Sequence, residues 1–278
     1  LRDLEPSDVA RAMRQLGSPA PANRRNVTGR RRAVLSAGTI DAAYRCLKAA
    51  LADAVQLGKA EYNAAALTSV DYIAPEILPP AQAEIDRLLD ELRDHWSYPV
   101  LLTMRWTGCR HDEALGLRRL DVDPDARLVT FRRQSTRRRL KNSASVRTVV
   151  IPQELADVLR TLPAQLRTDR LFSTSTGKPI DQRNVLRRWR TACERLGIRP
   201  PAGADMAEYR PHDLRHAFAT MLLESGAQPA VVSAWLGHAS LREMDRYGHV
   251  RPIVDGDAAR RVAAAFGSDT ARLLRVAG

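Results

Sequence analysis

Apolar residues along most of the chain recur at intervals of three and four, the period of a helix that buries one face. The clearest run is TIDAAYRCLKAALADAVQLG, in which Ile40, Tyr44, Leu47, Leu51 and Val55 form one stripe and Gly58 closes the helix. Upstream, SDVARAMRQL opens on a Ser/Asp pair suited to capping a helix, so residues 1–72 read as a small helical domain. Between the two helices, PAPANRRNVTGRRR carries turn formers and five arginines and reads as a loop that either touches phosphates or is solvated. Pro75, Pro79 and Pro80 mark a linker, with Pro80 starting the next helix. Helices are then predicted at 80–93, 96–106, 111–118, 153–162, 181–196, 212–225, 229–236 and, briefly, from 240. Two stretches break the helical period: RLVTFRR and VRTVVIP read as strands joined by a very basic segment. The pattern predicts a mainly α chain with a small antiparallel β-sheet (α+β), in two domains, 1–72 and 75–278.

Charge narrows the partners. The 44 basic residues outnumber the 32 acidic ones, leaving +12 and a pI near 10.4. That balance favours a polyanion, nucleic acid before an anionic membrane surface, because phosphate neutralisation releases counterions. Only Lys48, Lys59, Lys141 and Lys178 are lysine, which makes each lysine worth inspecting. Cys46, Cys109 and Cys193 are far apart and lack C-x-x-C spacing, so neither a disulfide framework nor a zinc ribbon is implied, and a reducing cytoplasm fits. LRDLEPSD has no signal-peptide pattern, and no apolar run approaches the roughly 18 residues of a membrane span. Since the chain starts at Leu1, its first domain is expected to be shortened.

Chemistry gathers in RPHDLRHAFAT, residues 210–220. Pro211 can open a helix, and the three-residue spacing puts His212 and Arg215 on one face near its amino end, where a phosphate is welcome. In a chain this rich in arginine one H-x-x-R is expected by accident, so the pair alone proves nothing. His216, one turn on, reads as a packing or hydrogen-bonded residue. A zinc helix is disfavoured, since Asp213 stands where its Glu belongs and Arg215 would sit beside the cation. STGKP lacks the first glycine and the Ser/Thr of a phosphate-binding loop, and DVDPD lacks the glycine and distal Glu of a calcium loop.

Other motifs stand at a distance. TGCRHDEALGLRRLDV puts Arg110 at a helix start with Glu113 one turn on; Lys141 sits in the basic hairpin; WLGHAS places His238 after a helix-ending glycine; DRYGHV supplies Tyr247. As an ordered set, from about residue 35 to about 250, they closely resemble the tyrosine recombinases, the family of phage-type integrases and Xer-type resolvases. The resemblance implies that Arg110, Lys141, His212, Arg215 and His238 surround one scissile phosphate with Tyr247 as nucleophile. It implies a helical core-binding domain at 1–72 ahead of a catalytic domain, a homotetramer on double-stranded DNA at specific recombination sites, and accessory directionality factors. It implies carboxyl-terminal helices, around 256–275, docking on neighbouring subunits, and a cytoplasmic, nucleoid-associated protein.

Each role has a chemical reason. Two guanidinium forks, Arg110 and Arg215, can neutralise the non-bridging oxygens of a phosphodiester. The Tyr247 phenol needs a base or a positive neighbourhood, and His212 is the candidate to take or relay its proton. Lysine can give a proton to the departing 5′ oxygen where arginine cannot, so Lys141 is the candidate general acid. His238 is expected to donate to the phosphate, and Glu113 to orient Arg110 or another group. Because the phosphotyrosine stores the bond energy, no metal or other cofactor is expected. Two other readings stand: a helix-turn-helix DNA-binding regulator built on GAQPAVVSAWLGHASLREM, and a metal-dependent nuclease. Within the recombinase reading, integration and excision of a phage or mobile element leads, with resolvase or transposase open.

Overall fold

The computed structural model describes residues 3–17, 35, 37–69, 78–135, 146–164, 168–202, 204, 206–238, 244, 247, 248, 250 and 257–267. The chain divides into two compact units, Leu1–Pro75 and Glu76–Gly278.

In the first unit α1 (Pro6–Gly17) packs on α2 (Ala37–Gln56). Val9 and Met13 meet Leu51, Ala64 and Ala65, with Ile40, Tyr44 and Leu47 along the margin. The predicted stripe is therefore the packed face, although Val55 at its end is only half-buried beside the buried Ala54. The Tyr44 hydroxyl lies within hydrogen-bonding distance of the Ala65 and Thr68 carbonyls, at 2.8 and 2.6 Å, tying the turn after α2 back onto the helix. The arginine-rich loop at 19–32 and most of the linker lie outside the described residues.

The second unit begins with α3 (Gln82–Glu91), whose entry is fixed by the Ala81 N–H donating to the Glu84 carboxylate at 2.8 Å. It continues through α4 (Tyr98–Thr107) and α5 (His111–Gly116) to a single three-ten turn at Arg119–Asp121. The sheet has order β1 (Val122–Asp123), β2 (Leu128–Phe131), β3 (Arg147–Val150), antiparallel throughout. Both predicted strands are present. β1 is an addition, because two residues are too few to show an alternation. Phe131 pairs with Arg147 across the sheet, while Thr130 and Thr148 face outward with hydroxyls 2.9 Å apart. The hairpin between β2 and β3 contains Lys141, which lies outside the described residues.

Five helices complete the described part of the unit: α6 (Gln153–Thr161), α7 (Gln182–Leu196), α8 (Asp213–Glu224), α9 (Pro229–Leu236) and α10 (Asp257–Phe266). The helix expected from 240 falls mostly outside the described residues. One core joins α3, α4, α7 and the sheet through Ile85, Leu101, Met104, Phe131, Val149 and Trp189. A second joins α8, α9 and α10 through Phe218, Leu222, Val232, Leu236, Val262 and Phe266. α10 packs on α8 and α6 of its own unit, with Arg261 paired to Asp86 at 2.7 Å.

α8 touches α4, α9 and α10, and Asp213 through Ala219 are all buried. A helix enclosed on every side is expected to be apolar all round. α8 instead carries Asp213, Arg215 and His216 in its first turns, so its polar groups must find partners inside the protein.

Candidate active site

Helix ends build the site. α4 stops at Gly108 and α9 at Gly237, both left-handed, with φ of +61° and +65°. A Cβ on Gly108 would come within 2.5 Å of Leu236 and 2.7 Å of Phe218, so the two helix ends approach each other only because glycine stands there. Arg215 bridges the gap: Nη1 donates to the Gly108 carbonyl at 2.8 Å and Nη2 to the Leu236 carbonyl at 2.9 Å. Orphan carbonyls at helix carboxyl ends welcome a cation, so the bridge fixes the guanidinium while each terminal nitrogen keeps a second N–H.

Arg147 does a parallel job. Its Nε donates to the Trp235 carbonyl at 2.6 Å and its Nη2 to Glu113 at 2.8 Å, with the guanidinium 4.6 Å over the Phe131 ring. Glu113 is fully buried and also accepts from the Arg110 backbone N–H and from Arg110 Nη1, both at 3.0 Å. One carboxylate thus fixes the start of α5, aims Arg110 and neutralises Arg147. Burial by itself would raise the Glu113 carboxyl, but the charge and hydrogen bond of Arg147, with help from Arg110, hold it below the usual carboxylate range.

The balance of charge is positive. Burial, then the like charges of Arg110 and Arg147, pull the Arg215 guanidinium down to about 9, opposed by Glu113 and Tyr247. An anion beside these groups would relieve that stress. Cys109 lies between Gly108 and Arg110, but burial pushes its thiol up to about 12, so it stays a protonated, inert packing group.

Tyr247 is buried, 4% exposed, with its hydroxyl 2.7 Å from Nδ1 of His216. The His216 ring meets the His212 ring edge-on at 5.1 Å, and His212 itself is exposed at the start of α8. His238 follows Gly237, half-buried, its backbone N–H donating to the Ser233 carbonyl at 3.0 Å. Arg110, Arg215 and Tyr247 are therefore near neighbours electrostatically, His212 adjoins Tyr247 through His216, and His238 adjoins Arg215 through the end of α9. Lys141 lies outside the described residues.

Two members of the cluster escape a reading of motifs. Arg147 looks like one more arginine in a basic hairpin; the signal was its phase, since β-strand alternation turns Arg147 and Val149 inward while Thr148 faces out. His216 reads only as a packing or hydrogen-bonded residue, and the identity of its partner, 31 positions away, is not local information. Chemically, the arrangement can hold a tetrahedral anion against fixed guanidinium groups, next to a phenol whose proton has an imidazole within reach. Among the described residues no group of three or more His, Cys, Asp or Glu side chains could hold a metal ion, and no helix is long and apolar enough to cross a membrane.

Comparison with known proteins gives this geometry a setting. Residues 81–252 match the sequence model of the phage integrase family. A tyrosine recombinase XerD of Bifidobacterium longum is 32% identical over 182 residues, covering 61% of this chain and 57% of the relative. The chain spans about half the length of the curated relatives it matches. Among solved structures, the Tn1549 transposon integrase in complex with a circular intermediate DNA superposes with a TM-score of 0.66 at 18% identity, covering 95% of this chain and 85% of that one. A lambda integrase dimer bound to a COC′ core site gives 0.62 at 14% identity, covering 89% and 65%. At those identities the likeness is one of fold.

Proposed function

Because the chain belongs to the phage integrase family, we propose that it is a site-specific DNA recombinase that breaks and rejoins strands through a 3′-phosphotyrosyl intermediate on Tyr247. The observation that carries this reading is the buried phenol of Tyr247 set in the field of Arg215, whose guanidinium is held between two helix ends beside Arg110 and Arg147. Arg110 and Arg215 bind the non-bridging oxygens and stabilise the charge that develops as the phenolic oxygen attacks phosphorus. The bond to the 5′ oxygen breaks, and Lys141 supplies the proton that oxygen needs. His212 and His238 stand beside the phosphate at the start of α8 and the end of α9, His238 donating to it, while the proton of the attacking phenol passes to an imidazole of the α8 segment. The 5′ hydroxyl of a partner strand then attacks the phosphotyrosine and reseals the backbone, so the step consumes neither nucleotide nor metal.

In this reading the unit Glu76–Gly278 is the catalytic domain and Leu1–Pro75 a core-binding domain that also binds double-stranded DNA. The working particle is a homotetramer holding two duplexes, with accessory factors setting direction. The biological task is integration and excision of a mobile element. The identity to relatives named as Xer recombinases favours a second task for the same chemistry, resolution of joined DNA circles.

The test uses a nicked duplex selected from a randomised pool by its binding to this protein. The native chain is expected to form a covalent adduct on that duplex with chelator present. Tyr247→Phe binds the duplex and forms none. Adduct formation by Tyr247→Phe would refute the nucleophile, and cleavage abolished by chelator would favour a metal nuclease. Binding with no cleavage by the native chain would favour a DNA-binding regulator.

A further inference from the structure

We propose that His216, rather than His212, is the catalytic group that holds the Tyr247 phenol and takes its proton; this rests on Tyr247 being the nucleophile. A general base must stand within about 2.6–3.2 Å of the oxygen whose proton it abstracts. His216 Nδ1 does so at 2.7 Å, with both residues buried, 6% and 4% exposed. His212 lies one helical turn earlier, exposed, with its ring edge-on to His216. That arrangement leaves His212 exposed, where a phosphate can reach it, and His216 buried behind it, against the phenol.

Neutral imidazole with its proton on Nε2 presents Nδ1 as an acceptor, so the Tyr247 hydroxyl donates to it in the resting state. This hydrogen bond holds the phenol against the imidazole in the resting state. In the reaction the Tyr247 O–H bond breaks as the O–P bond forms, and the proton passes to His216 Nδ1. The P–O5′ bond breaks, and the departing oxygen takes its own proton from the general acid. On resealing, the imidazolium returns its proton to the phenolate, so the histidine ends each cycle neutral. Arg215, adjacent on α8 and coupled electrostatically to Tyr247, favours the phenolate while the transfer proceeds.

The test measures single-turnover adduct formation on the same nicked duplex. His216→Gln can accept the tyrosine hydrogen bond through Oε1 but cannot take the proton. Its rate is expected to fall on the order of 100-fold with duplex binding unchanged. Replacing Tyr247 by 3-fluorotyrosine, a more acidic phenol, is expected to recover about tenfold of that loss in His216→Gln and to change the native rate little. A His216→Gln chain that forms the adduct at the native rate overturns the proposal, while Tyr247→Phe still forming it would overturn the nucleophile itself. A slow His216→Gln without fluorotyrosine rescue reduces His216 to packing and also overturns it. A measurement without any His216 variant stands beside these: in the ¹⁵N spectrum of the imidazoles, His216 Nδ1 is expected to be unprotonated and to shift when Tyr247→Phe removes the hydroxyl. No shift contradicts the proposal.

Discussion

Two sets of ion pairs in the second unit look alike on paper and differ in every physical consequence. Around Glu113, Arg147 and Arg110 converge on one carboxylate that no solvent reaches. Around Arg160 at the end of α6, Asp125 and Asp157 make a pair of contacts at 3.0 and 2.6 Å with all three side chains well exposed. The outer set exchanges one solvated arrangement for another and is screened by salt. The inner set is bound to its geometry, because losing one partner strands the other away from water. In a chain with this many arginines, charge itself says little about function; burial of the charge, and what anchors it, says a great deal.

The largest expected effect lies in the inner set. Glu113→Ala leaves Arg147 buried without its carboxylate and is expected to cost about 3–5 kcal/mol in denaturant unfolding. A loss no greater than that of a surface substitution would erase the distinction between the sets. The same variant removes the support of Arg110 and should slow adduct formation even where the protein is still folded.

A smaller effect appears on acidification. The folded Glu113 carboxyl titrates below its unfolded value of about 4.3, so its stabilising contribution is complete above that pH and is lost as pH falls through the folded value. The native chain is therefore expected to exceed Glu113→Gln in stability by a constant margin from pH 6 to 8, narrowing below about pH 4.3. Adding salt to 1 M should leave the margin at neutral pH nearly intact. A margin that collapses with salt would place Glu113 in the outer class.

The smallest effect is at the rim. Arg160→Ala is expected to leave the unfolding midpoint and the adduct rate unchanged, at low salt and at high salt alike, since the contacts it loses are replaced by water.

The sequence shows some of this contrast and hides the rest. Helix stripes were legible where one face of a helix is buried, as in α2, where Leu51 and Ala54 pack while Ala52 and Asp53 are exposed. Arg110, Arg215 and His238 were legible as motifs near helix ends marked by Gly108, Pro211 and Gly237, and Tyr247 was legible from the DRYGH box. What pairs with what was not. Glu113 meets Arg147 across 34 positions, and His216 meets Tyr247 across 31. Such partnerships are set by the tertiary fold, which brings Glu113 of α5 to Arg147 of β3 and His216 of α8 to Tyr247, and for which no periodicity speaks. α8 was the hardest case: its burial on all sides removes the amphipathic signal that would have separated lining residues from supporting ones.

One measurement reaches the centre of the account. After reaction with the nicked duplex, the protein is digested and the peptide carrying the covalently attached nucleotide is sequenced by mass spectrometry. The account predicts a single 3′-phosphonucleotide on the Tyr247 oxygen, absent in Arg215→Met and in Tyr247→Phe. Attachment to any other side chain, or cut DNA with no attached peptide, would contradict it.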